Sequence, residues 1–126
     1  MTTAQTSRKL AILAGKLALE KKALDIKILD LRKISNIADY FVICSAKVDV
    51  HLKAIAGNIT SKLETQGIKI WHNEGYSQGR WILLDYVDVV IHIFLEEVRE
   101  FYDLESLWGD ALVQEVSENG RLKKVK

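Results

Sequence analysis

At 126 residues the chain is long enough to bury one hydrophobic core and too short for two. Hydrophobic residues at 48% and charged residues at 28% exclude a disordered chain. Eighteen Lys and Arg against 17 Asp and Glu leave a net charge of +1, so nothing in the total requires a polyanionic partner or an anionic membrane, and any RNA contact must be local.

The expected organisation is one domain over residues 1–116 followed by a flexible basic tail over 117–126. Residues 1–9 lack the apolar core of an export signal, and no apolar stretch is long enough to span a bilayer. The lone cysteine, Cys44, cannot form an internal disulfide and reads as a small buried hydrophobe. These features predict a protein of the reducing cytoplasm with no membrane contact; they also suit the mature part of an organellar protein.

In chain order, Leu10, Leu13, Ala14, Leu17 and Ala18 recur at three-and-four spacing and predict an amphipathic helix over 3–22. Leu24, Ile26 and Ile28 alternate with Asp25 and Lys27, the period of a half-buried strand. After a connection over 30–38, the unbroken apolar run over 40–44 predicts a central strand covered on both faces. Asp49 is placed to cap a second helix whose stripe is Leu52, Ile55, Ala56, Ile59 and Leu63, ending at Gly67. A third strand is expected over 68–71. Residues 81–85 and 89–94 form a hairpin, followed by a short helix over 96–102 and a small apolar cluster of Leu104, Leu107 and Trp108. The sum is an α/β fold with a mixed sheet of about five strands and helices mainly on one face.

Period-two alternation sorts the hairpin into two faces. Ile82, Leu84, Val89, Ile91 and Ile93 form an aliphatic set that belongs to the core. The opposite face carries Trp81, Leu83, Asp85, Val90, His92 and Phe94, a mixture ill suited to a dry interior. Either this face is an open docking surface with aromatic anchors, or the third helix and the segment ending at Trp108 fold back over it. His92 is accordingly a contact residue or a core histidine satisfied by a carboxylate such as Asp85 across the hairpin.

Catalytic constellations are weak. His51, His72 and His92 are not spaced as zinc ligands, and alternation turns Asp85 and Asp88 apart. Ser45 has no nucleophile elbow, and the loop from Gly75 to Gly79 lacks both the Walker lysine and the strand-to-helix setting of a dinucleotide site. No metal, cofactor or catalytic residue is expected. Lys21, Lys22, Arg121, Lys123 and Lys124 are basic clusters that could touch nucleic-acid phosphates, although charge at element ends is commonly just solvated.

The stretch Ala38-Asp39-Tyr40-Phe41-Val42-Ile43, then Glu74-Gly75, Trp81, Leu84-Asp85, Asp88-Val89-Val90, His92 and Phe94, resembles the ribosomal silencing factor family, also called Iojap-like. Arg99, Phe101-Tyr102, Leu104-Glu105 and Leu107-Trp108 are similar to its C-terminal motif, so the likeness spans about residues 10–111. The resemblance implies a nucleotidyltransferase-like fold without catalysis. It also implies binding to large-subunit ribosomal protein fourteen, which blocks small-subunit joining and lowers translation under nutrient limitation. Self-association of the free protein through the same surface is implied as well.

The partner-binding residues expected on this basis are Trp81, Leu83, Asp85, Val90, His92 and Phe94, with Tyr102, Leu104, Glu105 and Trp108 beside them. Trp81 and Phe94 would be anchors, and Asp85 and Glu105 would meet cations of a basic ribosomal protein. Trp108 either joins them or pins the last segment to the core. The rival readings are an active nucleotidyltransferase, for which the closely spaced carboxylates after Ser45 are missing, and an RNA-binding module, for which the face lacks basic residues among its aromatics. Val87 and the segment Ala46-Lys47-Val48 depart from the family pattern, which has Gly and Gly-Thr-Ser there. A β-branched Val87 predicts a turn that avoids positive φ.

Overall fold

A computed structural model describes residues 3–126. Seven strands form one mixed sheet in the order β3-β4-β5-β2-β1-β6-β7. The strands are β1 (Leu24–Asp30), β2 (Tyr40–Ala46), β3 (His72–Glu74), β4 (Trp81–Asp85), β5 (Val89–Leu95), β6 (Leu112–Val116) and β7 (Leu122–Lys124). Only β2 and β5 pair in parallel, which the α2 crossover makes feasible. The helices are α1 (Thr3–Glu20), α2 (Asp49–Thr65), α3 (Glu96–Tyr102) and α4 (Leu104–Leu107).

The long helices α1 and α2 cover one face of the sheet. Ala11, Ala14, Leu17 and Ala18 of the first stripe and Leu52, Ile55, Ala56, Ile59 and Leu63 of the second are all buried there. Beneath them lie Ile82, Leu84, Val89, Ile91 and Ile93, the aliphatic set expected from alternation. A buried polar residue ties the helices together: Asn58 donates from Nδ2 to the Leu17 carbonyl (2.8 Å) and the Glu20 carboxylate (3.1 Å). As predicted, β2 is central and buried along its whole length, and Gly67 closes α2 at φ +77.

Four expectations are corrected. The sheet has seven strands because residues 117–126, read as a flexible tail, contain a turn and then β7, which pairs with β6 as β6 pairs with β1. A polar, basic sequence is no obstacle to a strand at a sheet edge, where one face is wet. The third strand begins at His72, not at residue 68; backbone pairing with β4 starts only where Trp71 donates to the Asp85 carbonyl. Asp49 is the first helical residue, not the cap; Val48 occupies the cap position and makes no side-chain capping bond. Finally, Val87 does adopt positive φ (+73), in a γ-turn closed by Asp88 N–H to the Tyr86 carbonyl (3.0 Å). The turn is held by Asp85, whose carboxylate accepts the Val87 N–H (2.7 Å), so the local bonds override the β-branched preference.

Candidate functional site: the aromatic face of the hairpin

The face opposite the long helices is covered only in part, by α3, α4 and the turn at Trp108. Cross-strand pairing sets Trp81 against Phe94 and Leu83 against His92, with β2 alongside contributing Phe41. The result is a connected run of rings. Tyr102 contacts Trp81 (centroids 5.1 Å), Trp81 stacks on Phe94 (4.7 Å), His92 meets Phe41 edge-on (4.6 Å), and Phe41 meets Trp108 (5.8 Å).

The sequence left two arrangements open for this face, and the structure divides the residues between them. Val90, His92 and Phe94 are buried, at 6%, 4% and 0% exposure, so they support the surface and do not present it. This corrects their expected role as contacts, and Phe94 as an anchor: Phe41, Trp81 and Trp108 close over the inner half of the face. Trp108 is half-buried against Phe41 and pins the last segment to the core, one of its two expected roles. Trp81, Leu83 and Asp85 remain half-exposed, Leu104 is packed partly against the core, and Tyr102 is 53% exposed.

His92 does not pair with Asp85, because the register sets Asp85 against Val90 and the turn occupies its carboxylate. Instead, the Trp81 indole N–H donates to His92 Nδ1 (3.2 Å). An indole can only donate, so Nδ1 is unprotonated and the neutral ring carries its proton on Nε2. That Nε2–H is buried and has no partner among the described residues. Burial lowers the His92 pKa from 6.5 to about 4, keeping the ring neutral and the acceptor available. His92 thus fixes the rotation of Trp81 from beneath.

Glu105 is likewise committed internally. Arg99, buried on α3, donates to Glu105 (2.8 Å), to the Ser45 hydroxyl (2.8 Å) and to the Asp25 carbonyl (2.7 Å). Asp25 reaches it through a bulge in β1, where its φ is +48 and the register shifts between Leu24 and Lys27. One guanidinium therefore clamps α3 and α4 to the sheet, and Glu105 is a structural partner before it is a surface charge.

Sequence reasoning missed Phe101, 80% exposed beside Tyr102 (ring centroids 5.0 Å), and the acids of α3, Glu96, Glu97 and Glu100. Trp81 forms a ridge between two depressions. One, of about 390 Å³, is lined by Arg80, Glu97, Val98, Phe101 and Tyr102; the other, of about 420 Å³, by Glu74, Gly75, Gln78 and Leu83. The helix period over 96–102 carried the signal: Val98 and Arg99 point inward, which turns Glu97, Glu100 and Phe101 out. An apolar ridge rimmed by carboxylates has the composition of a protein-binding hot spot for a basic partner.

The family model described as "Ribosomal silencing factor during starvation" matches residues 4–126. The chain belongs to the ribosomal silencing factor family. It is 45% identical over 92 residues to the ribosomal silencing factor of Bacillus subtilis, covering 73% of this chain and 78% of that protein. A crystal structure of a Chromobacterium violaceum protein superposes with a TM-score of 0.75 at 35% identity, covering 86% of this chain and 88% of that one. A mouse relative named "Mitochondrial assembly of ribosomal large subunit protein 1" is 32% identical over 92 residues, 71% of this chain and 40% of that protein.

Of the remaining candidate groups, His72 lies at the β3 margin of this face, while His51 and Cys44 are placed apart from it. His51 donates to the Lys21 carbonyl (2.7 Å) and His72 pairs with Glu74 (2.9 Å). Cys44 is wholly buried, and desolvation pushes its thiol up to about 12. Among the described residues no cluster of His, Cys, Asp and Glu is placed to hold a metal ion, and no helix is long and apolar enough to cross a membrane.

Proposed function

We propose that this chain silences translation by seating the Trp81 ridge on the large ribosomal subunit, where its partner is ribosomal protein fourteen and its bulk blocks entry of the small subunit. The observation that carries the reading is the ridge itself. Tyr102 and Phe101 stand exposed in contact with each other, and Tyr102 with the half-buried Trp81, which is held from below by His92 and Phe94 and flanked by the carboxylates of α3. Membership of a family described as silencing ribosomes during starvation, and a relative whose name refers to the large subunit, supply the class of partner.

In this reading Trp81, Tyr102 and Phe101 are the apolar anchors, while Leu83, Asp85 and Leu104 border them. Glu97 and Glu100 take over from Glu105 the task of meeting cations on a basic ribosomal protein. The mechanism is steric exclusion and needs no bond-making step. A nucleotidyltransferase-like scaffold is in this reading without catalysis: the Ser45 hydroxyl is buried and accepts from Arg99. Self-association of the free protein would use the same ridge and so compete with the ribosome. A neighbouring rRNA contact through Arg121 and Lys123, at the far edge of the sheet, completes the proposal.

The test is co-sedimentation with isolated large subunits. Trp81→Ala and Phe101→Ala should each weaken binding by about 2 kcal/mol, roughly thirty-fold, as hot-spot truncations do. The melting temperature of Phe101→Ala, which loses little buried contact, should stay near that of the parent. Variants that pellet with large subunits as the parent does, or a parent that leaves formation of the joined ribosome unaffected, would refute the reading.

A further inference from the structure

A third depression, of about 280 Å³, lies on the other face of the sheet, between α1 and the strands β1, β6 and β7. Its walls bring together Arg8 from α1, Arg32 from the β1–β2 connection and Lys124 from β7, with Asp30 as the one acidic side chain; Lys126 also lines it, but its ammonium stands beside Gly109 and outside the depression. Asp30 is held by Arg32 through two bonds (2.9 and 2.7 Å), so Arg8 and Lys124 carry the unbalanced charge. In a chain with a net charge of +1 this concave spot is locally positive.

Tyr40 forms part of the same wall, is 97% buried (3% exposed), and has Arg32 over its ring at 5.3 Å. Its hydroxyl is buried and has no hydrogen-bond partner among the described residues. An unmet buried O–H donor is costly unless something outside the protein satisfies it. Ile28, Leu112 and Val113 give the depression an apolar side, next to the Gln114 amide. Cations, a neutral donor and an apolar wall in one small cavity describe the binding of a phosphate ester: charge for the phosphate, the hydroxyl for one oxygen, and aliphatic surface for the sugar.

We infer that this depression is a phosphate-ester site, with Arg8, Arg32 and Lys124 as the charged donors and Tyr40 as the neutral one. It is separate from the Trp81 ridge, which lies on the opposite face and the other half of the sheet, so it stands or falls independently of the docking reading. The phosphate could be the terminal monoester of a free nucleotide or a diester of an RNA strand; both present anionic non-bridging oxygens, three on the monoester and two on the diester.

The experiment is an NMR titration of the full chain with adenosine monophosphate, adenosine, and an unphosphorylated tetraribonucleotide, at low salt and then with added chloride. Saturable shifts at residues lining the depression are expected with the nucleotide and not with adenosine, and chloride should weaken them. Arg8→Ala combined with Lys124→Ala should lower affinity roughly ten-fold or more, and Tyr40→Phe several-fold, since hydrogen bonds to charged groups carry that much. Tight binding of the monophosphate alone assigns the site to free nucleotides; equal or tighter binding of the tetranucleotide assigns it to RNA. Absence of saturable binding to either, binding of adenosine as strong as its monophosphate, or an unchanged affinity in the double variant would overturn the inference.

Discussion

Lowering the pH should unlock the support beneath the Trp81 ridge before it unfolds the sheet, because the bond that fixes Trp81 ends on an unprotonated nitrogen of His92. The fold favours the neutral imidazole, so the folded chain takes up this proton less readily than the unfolded chain. The contribution of His92 is complete above the ordinary pKa of 6.5 and is lost as the pH falls toward about 4. The shift corresponds to about 3 kcal/mol once His92 itself protonates, and to about 2 kcal/mol near pH 5. Asp30, whose carboxyl Arg32 holds below its ordinary 3.8, adds its own loss only at more acid pH, so the two are separable. The assay is denaturant unfolding from about pH 7 to pH 4.5, with tryptophan emission followed under native conditions. The parent should lose about 2 kcal/mol over that range, while His92→Asn, which keeps an acceptor for the indole but does not titrate, should lose far less. Parallel loss of stability in parent and variant would show that His92 is not the buried neutral group described here.

Three substitutions probe the backbone and the clamp. Val87→Gly should stabilise the chain by about 1 kcal/mol, a few degrees in melting temperature, by releasing a β-branched residue from positive φ. Val87 is 57% exposed, so little packing is lost, and a lower melting temperature would contradict the strain argument. Gly75→Ala should destabilise by about 2 kcal/mol or more and weaken ribosome binding with it. A Cβ at that position, φ +84, would sit 1.8 Å from the Trp81 carbonyl oxygen, so β4 must shift; a variant as stable as the parent would refute this. Arg99→Ala should cost about 2–3 kcal/mol by leaving the Ser45 hydroxyl and Glu105 without their donor. Urea unfolding would read it, and a loss below about 1 kcal/mol would show the clamp to be marginal.

The elements that were legible in the sequence are those whose burial is periodic. The stripes of α1 and α2, the unbroken apolar run of β2 and the alternation of β4 and β5 each report which side faces the core. β7 was not legible, since Leu122-Lys123-Lys124 is too short and too charged to differ from a frayed end; only the neighbouring β6 makes it a strand. The two faces of the hairpin were separable, but not what covers them. Alternation places Phe94 and Trp81 on one side, and whether either is exposed depends on where Tyr102 and Trp108 return in space. The role of Arg99 was hidden for a related reason: its partners Asp25 and Ser45 are distant in the chain, and the bulge that aims Asp25 leaves no periodic trace.

Both margins of the sheet, β3 and β7, are only three residues long. A strand arriving from another copy would find two or three main-chain bonds on offer, and Lys123 and Lys124 would meet their own kind across the junction. Edgewise growth into extended ribbons is therefore blocked at either end. Copies of this chain can meet stably only broadside, and the folded protein is thereby kept from templating its own fibrils.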